Sequence, residues 1–60
     1  MPIISLDGPR LDLDKKRALV TDITARAAQA YGLPEQTIIV MIRENDPENV
    51  AVGGLLIADR

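Results

Sequence analysis

The sequence predicts an α+β fold: one βαβ unit with a parallel two-stranded sheet and a C-terminal hairpin, completed only by oligomerisation. Three observations predict it. First, apolar runs rich in β-branched residues at Ile3–Asp7 and Thr37–Arg43 flank one amphipathic segment of helical period, and strand, helix, strand in that order leaves two parallel, adjacent strands. Second, Ile38-Ile39-Val40-Met41-Ile42 is apolar at odd and even positions alike, the pattern of a strand covered on both faces. One helix covers one face, so the other requires a neighbouring subunit. Third, a sixty-residue chain typically buries only about 60% of its unfolded surface, and with no Cys and no His this one has neither a disulfide nor the usual metal ligands as a staple. Association is the remaining remedy.

Each element has a local cause. The first strand, Ile3 to Asp7, is stopped by Gly8-Pro9, because proline cannot donate to a ladder and glycine tolerates turn dihedrals. Asp12 is placed to cap a helix from about Leu13 to Tyr31, with Asp14 favourable to the dipole in its first turn. Its apolar stripe reads Leu13, Val20, Ile23, Ala27 and Ala30 or Tyr31, which makes Tyr31 a core residue; Lys15-Lys16-Arg17 reads as a solvated face. Gly32, Leu33 and Pro34 form a stop signal. For Thr37–Arg43 periodicity alone also admits a short helix, and β-branched enrichment selects the strand. After the turn-rich loop Asn45–Asn49, Val50 to Ile57 reads as a short hairpin or strand pair bent at Gly53-Gly54 and reaching onto a neighbour. The whole of 1–60 reads as a single domain, with no internal repeat.

Composition excludes some functions. Seven Lys and Arg against nine Asp and Glu give a formal charge of −2, which argues against nucleic acid as a partner, since phosphate binding needs clustered cations. No apolar stretch approaches the ~20 residues that span a bilayer, and no signal segment is visible, so no membrane partner is expected and the cytoplasm is the expected location. Gly53-Gly54 lacks the lysine and helix start of a phosphate loop, and Asn45, Asp46 and Glu48 lack the ligand alternation of a calcium loop. Neither a phosphate-cradling loop nor a bound metal is expected.

One residue stands out chemically. Removal of Met1 would free the secondary amine of Pro2. An α-amino group titrates at about 7.7 to 8.0, against about 4 for carboxylates and about 10.4 for lysine, and burial or nearby cations lower it towards the range where a general base works at neutral pH. Arg10, in the loop between strand and helix, suits bidentate carboxylate recognition or plain surface charge. Arg43 closes the second strand beside Glu44.

Taken together, the proline behind Met1, the stretch Gly8-Pro9-Arg10-Leu11-Asp12, Lys15-Lys16-Arg17, Tyr31-Gly32 and Pro47-Glu48-Asn49-Val50-Ala51-Val52-Gly53-Gly54 resemble the 4-oxalocrotonate tautomerase family, in particular its DmpI-type branch. The resemblance covers the whole chain. It implies a tautomerase-like fold and a cofactor-independent isomerase that interconverts enol and keto forms of a small unsaturated 2-hydroxy or 2-keto acid. It also implies a homohexamer built as a trimer of dimers, with Pro2 as the base and Arg10 as the loop arginine that grips a substrate carboxylate from a neighbouring subunit. Geometry agrees on that last point: at roughly 3.3 Å per residue Pro2 and Arg10 lie up to about 20 Å apart along one chain, and antiparallel pairing of two units would bring them together.

Two positions depart from the family pattern. Ile39 stands where well-studied members carry a second arginine, and Val50 where they carry an aromatic. Arg43 shares a strand side with Ile39 but lies some 13 Å further on at 3.3 Å per residue, so its expected contribution comes from a neighbour. Ile39, Val50 and Met41 are expected to form an apolar wall that desolvates the Pro2 amine. Two alternatives stay open: the same scaffold and Pro2 used for hydration, dehalogenation or decarboxylation of a small acid, and a non-catalytic structural oligomer.

Overall fold

A computed structural model describes residues 1–60. The order is β1 (Ile3–Gly8), α1 (Leu13–Tyr31), a 3₁₀ turn (Glu35–Thr37), β2 (Ile39–Glu44), a second 3₁₀ turn (Pro47–Asn49), the two-residue strands β3 (Ala51–Val52) and β4 (Leu55–Leu56), and a final 3₁₀ turn (Ile57–Asp59). β1 and β2 pair in parallel with Ile3 opposite Ile39 and Gly8 opposite Glu44. β3 and β4 form an antiparallel hairpin. The predicted βαβ unit with its terminal hairpin is therefore present, and no helix is long and apolar enough to cross a membrane.

The caps act as the sequence implies. The Lys15 N–H donates to Asp12 Oδ1 at 2.8 Å, a bond that typically contributes about 1 kcal/mol to helix stability. At the other end Gly32 adopts φ 67° and ψ 35°, and the Ala28 carbonyl accepts from both Gly32 and Leu33. Gly53 and Gly54 both have positive φ, 61° and 82°, the requirement of a tight two-residue hairpin turn.

β2 starts later than Thr37 and ends at Glu44. Pro34 opens a 3₁₀ turn in which the N–H and hydroxyl of Thr37 both donate to the Pro34 carbonyl, so Thr37 has no amide left for the ladder. The strand begins where the Ile39 N–H reaches the Pro2 carbonyl at 3.0 Å.

The helix stripe also needs correction. Val20, Ile23 and Ala27 face the sheet, joined by Lys16, Leu19, Thr24 and Ala28, whereas Leu13 and Tyr31 are 60% and 65% exposed and Ala30 is exposed too. Nineteen helical residues span about 28 Å, six strand residues about 20 Å, so the terminal turns overhang the sheet. Leu13 and Tyr31 have the right angular position but nothing beneath them.

Strand side chains alternate between faces. Ile4, Leu6, Val40 and Ile42 are half-buried against α1, while Ile3, Ser5, Asp7, Ile39, Met41 and Arg43 share the opposite face, all exposed except the half-buried Ile39. The chain forms a slab of 43 × 24 × 12 Å, with α1 on one face of the sheet and no layer on the other. Only Ala28 is fully buried, and the accessible surface is 4709 Å², against about 3,800 Å² for a free-standing folded protein of this mass. The surplus of roughly 900 Å² is close to one subunit's share of a standard interface.

Candidate active site

The expected site residues fall into two groups at opposite ends of the sheet. Pro2 and Ile39 occupy the end where the parallel strands begin, tied by the Ile39 N–H to Pro2 carbonyl bond. Pro2 is half-buried, and Met1, which acylates its nitrogen in the unprocessed chain, is exposed. That bond anchors the carbonyl of Pro2 to β2 and does not involve its nitrogen.

Arg10, Arg43 and Val50 gather at the other end, about 16 Å away at five residues of parallel strand. Val50 lines a hollow of about 320 Å³ together with Asp7, Gly8, Pro9, Asn45, Pro47 and Ile57. Arg43 Nη1 lies 3.6 Å from Asp7 Oδ2, each side chain more than half exposed. Such a pair contributes at most about 1 kcal/mol, so it aligns Arg43 without locking it away. Arg10 is exposed in the loop after Gly8-Pro9. One chain does not bring Pro2 to either arginine. Nor does it assemble Ile39, Met41 and Val50 into one wall: Ile39 is beside Pro2, Met41 is mid-strand and Val50 is at the far end.

Three residues with a part in this end of the molecule escaped the sequence reading. Asp7 faces Arg43 because the strands register Ile3 with Ile39; that register was the missing signal. Glu44 binds the loop, its Oε2 accepting from the Leu11 N–H at 2.8 Å and its Oε1 from Lys16 Nζ at 2.7 Å. Lys16, read as part of a solvated run, is thus a cross-element tie, while Arg17 pairs with Asp14 one helical turn away. The Lys16 hydrogen bond, followed by the Leu11 amide, holds the Glu44 carboxyl below the usual glutamate value.

Comparison with known proteins places this arrangement. A family model described as "Tautomerase enzyme" matches residues 2–60. A probable tautomerase of Bacillus cereus is 36% identical over 47 residues, covering 78% of this chain and 77% of that protein. The crystal structure of DmpI from Archaeoglobus fulgidus is similar with a TM-score of 0.89 at 46% identity, covering 97% of this chain and all of that one. TomN, a 4-oxalocrotonate tautomerase homologue of the tomaymycin biosynthetic pathway, gives a TM-score of 0.90 at 30% identity over 98% of this chain and 92% of its own. A fold of these elements, with a proline immediately before β1 and a family match that runs from that proline to the last residue, establishes that the chain belongs to the tautomerase family and is an isomerase of the 4-oxalocrotonate tautomerase type.

Proposed function

We propose that the protein, once Met1 is removed, interconverts enol and keto forms of a small unsaturated 2-hydroxy acid, with the Pro2 amine as general base. The neutral amine takes the hydroxyl proton of the enol, the electron pair moves to form the ketone, and the resulting ammonium returns the proton to carbon. Substrate and product are isomers, and the base is regenerated. Arg10 and Arg43 of a neighbouring subunit hold the carboxylate, and Ile39 and Val50 supply apolar cover. Both influences lower the amine pKa, so the rate rises with pH through a value below that of an ordinary prolyl amine.

What carries this reading is the separation of Pro2 from Arg10, Arg43 and Val50 along one short sheet in a chain with about 900 Å² of surplus surface. Antiparallel association places the two halves together and covers the surplus. It makes the active unit a homo-oligomer, for which the resemblance to the family implies a hexamer built from dimers. Ile39, in place of a second arginine, favours a smaller or less highly charged acid than a dicarboxylate.

The test is ketonisation of phenylenolpyruvate by wild type and Pro2→Ala, with intact mass reporting the fate of Met1. A positioned general base contributes typically 10² to 10⁴-fold, so Pro2→Ala, whose amine is primary, loses at least about tenfold. Stoichiometric labelling of the mature terminus by a halo-acid should abolish wild-type turnover. Equal rates in the two proteins, or full activity with Met1 retained, would refute the role of Pro2.

A further inference from the structure

We infer that Glu44 is a positioning residue for Arg10, fixing through the Leu11 amide the loop from which that guanidinium projects. The inference rests on the reading of Arg10 as the carboxylate grip. Its basis is a three-way junction. Glu44 is the last residue of β2; its Oε2 accepts from the Leu11 N–H at 2.8 Å, and its Oε1 accepts from Lys16 Nζ, in the first turns of α1, at 2.7 Å. One carboxylate thereby joins strand, loop and helix. The next residue continues the tie, the Asn45 N–H donating to the Gly8 carbonyl at 2.8 Å.

The loop has little else to hold it. Pro9 has no amide to donate, and the bond from Leu11 to Glu44 is the one hydrogen bond that the Arg10 and Leu11 backbone makes. Packing does not substitute for it: a hollow of about 210 Å³ lined by Leu6, Pro9, Leu11, Leu19 and Ile42 lies against the loop. Arg10 is close enough for its charge to help keep Glu44 ionised, after Lys16 and the Leu11 amide. A guanidinium that meets a carboxylate side-on is sensitive to the placement of its own Cα, because a misplacement of about 1 Å can cost around a hundredfold. Glu44 touches no substrate and acts only through the loop.

The test is a double-mutant cycle of Glu44→Gln and Arg10→Ala on the assembled enzyme, with phenylenolpyruvate as probe. Glu44→Gln removes the charge and leaves a single acceptor oxygen, which cannot serve both the Leu11 N–H and Lys16 Nζ, so it should raise KM about tenfold with kcat within about threefold, the lower end for a charged hydrogen bond. On the Arg10→Ala background it should add nothing to KM, since the group it positions is gone. An unchanged KM in Glu44→Gln, or an effect that adds in full to that of Arg10→Ala, overturns the inference. If Arg10→Ala alone leaves KM untouched, the reading of Arg10 fails by that arm and the inference falls with it. Should Glu44→Gln not assemble, Lys16→Met removes the cation that pins the Glu44 carboxylate, so the acceptor of the Leu11 N–H is no longer held in place. It should raise KM less but in the same direction, and no rise there also overturns the inference.

Discussion

The open face of the sheet gives the sharpest prediction. Met41 sits in the middle of β2 on the face turned away from α1, 45% exposed, on the same side as Ile3, itself 60% exposed. Fully burying a side chain of this size contributes about 1.5–3 kcal/mol, so association has roughly 1 kcal/mol still to gain at this position in each subunit. Met41→Glu forfeits that and places a carboxylate in the contact, where the effective desolvation penalty is several kcal/mol. A combined loss of about 4 kcal/mol or more per subunit weakens assembly by about three decades, at 1.4 kcal/mol per decade. Sedimentation at micromolar concentration should show wild type associated and Met41→Glu dissociated, with Gln29→Glu on the exposed outer side of α1 as the charge-matched control. If Met41→Glu sediments like wild type, the surplus surface is not an interface and the cross-subunit site loses its basis.

Other consequences follow from individual contacts. Arg43→Ala should raise the KM for a carboxylate substrate about tenfold, the low end for a charged hydrogen bond on a partly exposed side chain; unchanged kinetics would remove Arg43 from the site. The lowered pKa of Glu44 adds stability that is complete above the ordinary glutamate value of 4.5 and is lost as pH falls through the lower folded value. A series of thermal midpoints from pH 6 to 3 should therefore fall less steeply in Glu44→Gln than in wild type, and parallel curves would contradict the assignment. Gly32→Ala meets no atom within 4 Å, so its cost is the left-handed backbone alone, about 1–2 kcal/mol. A thermal midpoint within a degree of wild type would show that the cap relaxes.

Local features were legible because their causes are local. Asp12 caps α1, Gly32 ends it and Gly53-Gly54 turns the hairpin, each through the dihedral or hydrogen-bonding habit of one residue type. The strand start at Ile39 was not, since it depends on how Thr37 divides its amide between a turn and a ladder. Tyr31 failed for a different reason. Periodicity gives angle around a helix but not how far the sheet beneath it extends.

The candidate site divides along the same line. Pro2 was visible because an α-amino group is the one base near neutrality in a chain without His or Cys. Asp7, Lys16 and Glu44 were invisible because their roles require a strand register and a loop path, with partners 36, 28 and 33 residues distant in the chain.

By itself, then, the sequence determined the order of elements, their caps and turns, the surface that a lone chain leaves bare, and the family to which it is similar. Tertiary structure decided which end of the sheet each charged residue occupies and which of them touch. Covalent neighbours set backbone dihedrals within a few residues, whereas the pairing of Glu44 with Lys16 and Leu11 exists only after β1, α1 and β2 have closed on one another.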